Sequence, residues 1–486
     1  MKIALPKFMT IVLTIIIYII FIPMYNSVSS DTIRCNDNLI FCLSWIGICC
    51  FAICVILWHK LTNKWFELYT IFFAFLCLFM FGQCMMWAIG IHDAQEIGRN
   101  NLFRFGKPAT EQGIVQAQLL SIMGIMAINC GVVLGYKERE KKIEIQEIAC
   151  IDKTLKYSVL YQVSLIVCCI ATPATFYQII RSYIINSIYG YGATLYNANV
   201  VASQNNIIAL LRFAYFPSLV GMIIGSHFRA RTIRICYANF LLFSLLSAMA
   251  GDRGEWLFPL CILIWIHHEF INRINFRKII VYSVAALVII RFSVAIRNVR
   301  SSGVSISSLF EAAINEENPV ASAFFELGRG MQHSAILSER GWKAYPYGNT
   351  YLLGLIGMAT ERIIFFFIPE YVSLATWYSR DYLGIDYGAG FSIIAEACVN
   401  FGPYYGMLML AFIGVILGRL LFSRSINHED PLSLFFLIGT TYSVIQAIRN
   451  TTLVATKTWF FSTLLIYFVA KILLNYTHRN VIRGER

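Results

Sequence analysis

Charge is what this sequence has least of. Of its 486 residues only 14% are Asp, Glu, Lys or Arg, where a soluble globular domain carries roughly a quarter. With 58% hydrophobic residues and a mean hydropathy of +0.64, the apolar excess cannot all fit inside a water-soluble core and has to face lipid. The fourteen cysteines include no CxxC pair, and almost all fall inside apolar runs, as Cys49, Cys50, Cys54, Cys168 and Cys169 do. That excludes a zinc ribbon or a disulfide framework and leaves them as small buried hydrophobes. There is no Walker loop, no GxGxxG fingerprint and no HExxH, so ATP hydrolysis, nucleotide cofactors and zinc peptidase chemistry have no support. Internal repeats, low-complexity tracts and an interdomain linker are also missing. The first apolar run follows Lys2 and Lys7 but lacks a small-residue cleavage site, so it is expected to be a retained helix and not a signal peptide.

What remains is a series of apolar runs long enough to cross a bilayer, which takes about 20 residues. They lie near 8–25, 38–58, 67–90, 116–135, 157–178, 206–226, 235–250, 256–270, 279–296, 402–421, 431–447 and 456–474. The expected fold is therefore an all-α polytopic membrane protein of about 12 transmembrane helices. Three regions follow: helices 1–9 over 1–296, a long loop over 297–389, and helices 10–12 over 390–486. The net charge of +12 sits largely in alternate connectors, those holding Lys60 and Lys64, Lys137 to Lys156, Arg229 to Arg234, Arg273 to Lys278, Arg424 and the C-terminal tail. By the positive-inside rule those connectors and both termini are cytoplasmic, and the charge reports topology before it reports nucleic acid. The long loop is then extracytoplasmic, and longer than two helices need to be joined.

Ionisable residues at membrane depth are functional candidates because they are costly to keep there. Arg212 and Arg291 belong to the outer halves of their helices. Arg253, within Gly251-Asp252-Arg253-Gly254-Glu255, and Arg297, Arg300 and Arg449 fall on outer connectors. Arginines gathered where the charge rule disfavours them suggest an anionic ligand, since a guanidinium fork suits phosphate oxygens. Pairing with Asp252, Glu255 or Glu396, or snorkelling to head groups, is the alternative. Within the loop, residues 319–340 can form a helix whose Glu326, Arg329, His333 and Arg340 share one face. His333 is there a candidate for activating a hydroxyl. The stretch 351–368, interrupted by Glu361 and Arg362, suits an interfacial helix better than a span. Residues 388–403 read as a short helix broken at Gly402 and Pro403, with Glu396 and Asn400 four apart on one face. Glu396 is a candidate general base or acid, or else half of an internal salt bridge. Tyr345, Tyr347, Tyr351 and their aromatic neighbours in the loop can stack on sugar rings or form an interfacial belt.

Three segments resemble the bacterial O-antigen polysaccharide polymerases, the oligosaccharide repeat-unit polymerase family. They are Ala250-Gly251-Asp252-Arg253-Gly254-Glu255, Tyr345-Pro346-Tyr347-Gly348-Asn349-Thr350-Tyr351, and Gly390-Phe391-Ser392 through Glu396 to Asn400-Phe401-Gly402. Their order, with one large late loop among about a dozen helices, carries the likeness mainly over residues 250–420. The resemblance implies a GT-C-like, cofactor-free and metal-independent glycosyltransferase in a bacterial inner membrane. It would move a growing glycan from one undecaprenyl pyrophosphate to a sugar hydroxyl on another lipid-linked repeat unit. Membrane lipids and a chain-length regulator would be its partners, and nucleic acid would not. The resemblance also implies roles. Glu396 or His333 would activate the hydroxyl, and Arg253 and Arg291 would neutralise the pyrophosphate. Arg212, Asp252, Glu255, Arg297, Arg329, Arg340, Tyr345, Tyr347, Tyr351, Asn400 and Arg449 would bind substrate. An O-antigen ligase, which His333 keeps open, and a twelve-helix flippase or transporter are the alternatives. A facilitator's Gly-Asp-Arg loop is cytoplasmic, however, and the large outer loop has no place in that plan.

Overall fold

The computed structural model describes residues 4–92, 109–138, 148–189, 206–250, 254–275, 319–385, 389–423 and 430–484. Every regular element among them is helical. Four long helices open the chain: α1 (Leu5–Ser29), α2 (Asp37–Thr62), α3 (Leu68–Ala88) and α4 (Glu111–Gly135). Their starts follow local chemistry. Pro6 sits in the first turn of α1, where its missing N–H costs nothing. The Asn36 side chain caps α2 by accepting from Leu39 N at 2.9 Å, and Thr110 caps α4 by accepting from Gly113 N at 3.1 Å. There follow α5 (Ile148–Tyr189), α6 (Asn206–Phe213), α7 (Tyr215–Gly225), α8 (Ala230–Met249) and α9 (Gly254–Ile266), the last running into a π-helical turn, His267–Ile271.

The span expected near 206–226 is present as Ile207–Gly225, with a local irregularity at Ala214 where α6 passes into α7. Pro217 has no N–H to give the Phe213 carbonyl, and its ring crowds that carbonyl, so the ladder breaks a turn before it. Among the described residues nine helical stretches are long and apolar enough to cross a membrane, and Trp256–Ile271 and Pro431–Ala447 are shorter apolar helices. The expected span near 279–296 lies outside the described residues. The chain is thus a multi-pass membrane protein in which, among the described residues, nine of the expected spans have a full-length helix.

Two compact units are built from interleaved stretches of chain. The first takes Met1–Arg139, Val320–Ile426 and Val444–Ala455; the second takes Glu140–Pro319, Asn427–Ser443 and Thr456–Arg486. In the second, α7 packs closely on α5, and a Cβ on Gly225 would collide with the Tyr161 backbone. Tyr215 donates to Asn239 Oδ1 at 2.7 Å, and Lys156 pairs with Asp430 at 3.4 Å.

The first unit is centred on α4, buried along nearly its whole length. Its closest neighbour is α14 (Ile393–Leu420). Gly131 lies against the Ala411 carbonyl and Gly414 against the Ile128 carbonyl, the close backbone approach that small residues allow between membrane helices. Polar residues of α4 hold the neighbours. Gln118 donates to Ile40 O at 3.0 Å and Ser44 Oγ at 2.9 Å, and Tyr69 donates to Asn129.

The described part of the expected loop, 319–385, is folded. It contains α10 (Pro319–Leu327), a 3-10 turn (Gly328–Gly330), α11 (Met331–Arg340), α12 (Thr350–Ile356), α13 (Arg362–Phe367), and the turn Leu374–Thr376 widening into π-helical Trp377–Leu383. The single amphipathic helix expected over 319–340 is broken, because Gly328 and Gly330 press on α3. A Cβ on Gly328 would meet the Gln83 backbone, and one on Gly330 the Phe79 carbonyl. Gln83 also donates to the Phe325 carbonyl at 3.0 Å. The stretch 351–368 is likewise two short helices, of seven and six residues, each about 10 Å long and too short to cross a bilayer. Leu353 and Ile364 are buried there, while Leu352, Leu355, Phe366 and Phe367 point outward.

Candidate functional site

Helix α14 begins with a built cap. Ser392 is extended, its Oγ accepts from Ala395 N at 3.3 Å, and its carbonyl accepts from Glu396 N at 2.8 Å. The helix turns sharply at Gly402, whose φ of 75° and ψ of 169° fall in a region essentially restricted to glycine. Pro403 follows and removes the next backbone donor. The break expected from Gly402-Pro403 is therefore present, and it isolates a short N-terminal piece carrying Glu396 and Asn400.

That piece receives the loop. Asn349 caps α12, accepting from Tyr351 N at 3.0 Å and Leu352 N at 3.2 Å. The next residue, Thr350, donates its hydroxyl to Glu396 Oε1 at 2.6 Å and its backbone N–H to Asn400 Oδ1 at 2.8 Å. Asn400 Nδ2 donates back to Thr350 Oγ1 at 2.7 Å and to the Glu396 carbonyl at 2.8 Å. The second Glu396 oxygen accepts from Thr452 N at 2.8 Å, the first N–H of the helix Thr452–Trp459. Glu396 is 1% exposed, and among the described residues its carboxylate takes only neutral donors. The internal salt bridge considered for it is not made there. The Thr452 N–H that the carboxylate takes is one of the otherwise unpaired donors at a helix start.

The structure thus brings together two of the three sequence segments singled out above, 345–351 and 390–402. Two partners were not picked out from sequence, Thr350 and Thr452. Each follows an Asn or Thr at a helix start, which is the usual sign of exposed N–H groups seeking an acceptor.

His333 is buried in α11, with its ring 5.5 Å from Phe391 and 5.3 Å from Tyr378. Its Nδ1 has no hydrogen-bond partner. Burial first, and then the charge of Arg449, push its pKa down to about 3, so the imidazole stays neutral and is a weak base. Arg449 lies over the Phe79 ring at 5.3 Å. Of the residues expected on its face, Arg329 lies in the 3-10 turn and is half-buried, while Arg340, seven residues after His333 in α11, is exposed at the helix end.

The loop aromatics pack largely on one another. Tyr345 is buried, donates to the Val372 carbonyl, and meets Trp377 edge-on at 5.6 Å. Tyr347 is half-buried between Tyr345 and Tyr371. Tyr351 stacks on Phe401 at 6.1 Å, and its hydroxyl has no partner. Tyr382, half-buried, has its phenol raised to about 12 by burial.

Arg212 ends α6 in the second unit and is half-buried. Arg253, Asp252, Arg291, Arg297 and Arg300 lie outside the described residues, and Glu255 lies in α9. Among the described residues no three His, Cys, Asp or Glu side chains converge as a metal site would need.

A family model described as O-antigen polysaccharide polymerase Wzy matches residues 8–477, nearly the whole chain. No curated protein and no solved structure matches it.

Proposed function

Since the chain belongs to the O-antigen polysaccharide polymerase Wzy family, we propose that it joins oligosaccharide repeat units carried on undecaprenyl pyrophosphate, at the outer leaflet of a bacterial inner membrane. The observation that carries the reading is the match over residues 8–477. The junction of segment 345–351 with Glu396 and Asn400 supports it, because the residues of the resemblance meet in one place.

The transfer forms a bond from an acceptor sugar oxygen to the donor's anomeric carbon, breaks the bond from that carbon to pyrophosphate, and releases the acceptor's proton. Glu396 is the proposed base. The Thr350 hydroxyl, 2.6 Å from Oε1, marks where an acceptor hydroxyl would bond once Thr350 gives way, and the proton would pass to Oε1. His333 is the weaker candidate, being neutral and enclosed by Tyr378 and Phe391. Arg253 and Arg291, with Arg212, Arg297, Arg329, Arg340 and Arg449 as further candidates, would neutralise the leaving pyrophosphate in place of a metal ion. A GT-C-like arrangement, cytoplasmic termini and a chain-length regulator as partner belong to the same reading.

The test is a gel of lipopolysaccharide or capsule from a strain lacking this gene. A single repeat unit capped on its lipid is expected; loss of all surface glycan would instead point to a flippase or ligase. Arg253→Ala and Arg291→Ala should abolish polymer with expression intact.

A further inference from the structure

A polar cavity in the first unit is not used by the chemistry above. It has a volume of about 420 Å³ and lies where the C-terminal end of α1, the first turns of α4, the end of α11 and the residues after the Gly402 kink come together. Its walls include Asn26, Gln112, Gln116, Glu339, Trp342 and Tyr404.

The lining is unusual for the end of a membrane bundle. It contains three carboxamides, and no Lys or Arg is among its residues. Glu339 supplies negative charge and is tied down by the Thr110 hydroxyl at 2.6 Å. A pyrophosphate would meet repulsion and no counter-charge, so the anion of the lipid carrier is a poor occupant. Carboxamides present donors and acceptors side by side, which matches vicinal hydroxyls. Gln112 donates to Val28 O and Asp31 Oδ1, both at 2.8 Å. Gln116 donates to Ser29 Oγ at 2.9 Å. Yet Gln116 is only 4% exposed and its Oε1 has no hydrogen-bond partner. A buried orphan acceptor is costly, and a ligand hydroxyl would satisfy it.

The aromatic walls complete the site. Trp342 is fixed by its indole N–H donating to Tyr25 OH at 3.2 Å. Tyr404 is fixed by donating to Asn26 and by meeting Tyr25 edge-on at 6.3 Å. Anchored flat rings beside carboxamides suit the apolar faces and hydroxyl edges of sugars. The volume falls within the roughly 300–1,000 Å³ of small-ligand sites, right for a short saccharide and too small for a polyprenyl tail.

We infer that this cavity is a saccharide-binding subsite, holding uncharged sugars of the lipid-linked glycan away from the reacting bond. The inference rests on the polymerase reading for the source of the sugar, but its test does not. The full chain in lipid nanodiscs is titrated with oligosaccharides released by mild acid from the producing strain's own surface polysaccharide, and separately with inorganic pyrophosphate. Gln116→Met and Trp342→Ala should each weaken oligosaccharide binding by about tenfold or more, a loss of one well-made contact, while Trp342→Phe keeps most of it and pyrophosphate binding stays as in the parent. In turnover the same changes should raise KM more than they lower kcat. Unchanged oligosaccharide affinity in folded Gln116→Met and Gln112→Met proteins would overturn the inference even if Trp342→Ala fails to fold, as would absence of oligosaccharide binding by the parent. A deletion strain that still makes full-length polymer would sink the polymerase reading alone, since binding is measured without it.

Discussion

Thr350→Val removes one oxygen from the centre of the candidate site and leaves the shape nearly unchanged. The hydroxyl lost is the 2.6 Å donor to Glu396 Oε1 and the 2.7 Å acceptor for Asn400 Nδ2. Valine fills the same volume, so no cavity term enters. Glu396, 1% exposed, would keep its bonds from Thr452, the backbone N–H among them, and lose the donor on Oε1. An unsatisfied buried polar atom costs about 1–3 kcal/mol, more when charged, and the weakened Asn400 bond adds about 1 kcal/mol. The expected loss is about 2–4 kcal/mol in holding α12 to α14. Because Thr350 N still donates to Asn400 Oδ1, the segment should stay docked but open more often. Native-state hydrogen exchange at Thr350 and Tyr351 should therefore quicken by about 30-fold to 1,000-fold, at roughly 1.4 kcal/mol per tenfold. Thr350→Ser, which keeps the hydroxyl, should stay within about tenfold of the parent. A double-mutant cycle with Glu396→Gln should show a coupling of about 1–2 kcal/mol. Unaltered exchange in Thr350→Val, or strictly additive effects in the cycle, would refute the account of Glu396 as the residue to which the loop is tied.

Other perturbations have equally definite outcomes. His333 has its pKa lowered from 6.5 to about 3, so the unfolded chain takes up its proton before the native one does. Its contribution is fully present above about pH 6.5 and is lost as the pH falls toward 3, by on the order of 5 kcal/mol in all; nitrogen NMR showing imidazolium in the native protein at pH 5 would contradict this. Gly402→Ala has open space around its Cβ, so its cost is purely conformational, about 1–3 kcal/mol, read as a lower unfolding temperature with the α4–α14 packing intact. Gly131→Ala should cost a similar amount for the opposite reason, since its Cβ would meet the Ala411 carbonyl, and cysteine crosslinking between α4 and α14 should report the two helices forced apart.

The spans could be read from sequence wherever about 20 apolar residues run together, because a bilayer leaves a helix few other options. Interruptions inside these helices occur where backbone chemistry overrides hydropathy. Pro217 divides one apolar run into α6 and α7, and the Gly328–Gly330 turn divides another because glycine alone allows the close approach to α3. His333 and Arg340, two turns apart in α11, differ because the first lies in the buried stretch of the helix and the second at its exposed end. The local half of the site was legible: Glu396 and Asn400 are one turn apart, and Gly402-Pro403 has few alternatives to a kink. The distant half was not. Thr350 lies 46 residues before Glu396 and Thr452 lies 56 after it, and neutral threonines give no charge signal to search for. The same holds for the saccharide cavity, whose strongest element is a glutamine with a single oxygen left without a partner. A site for phosphate announces itself in sequence through arginines, whereas a site for hydroxyls is built from residues that look ordinary until the fold leaves one of their atoms unsatisfied. If the substrate joins a pyrophosphate to sugars, as proposed, sequence favours finding the first kind of site and structure the second.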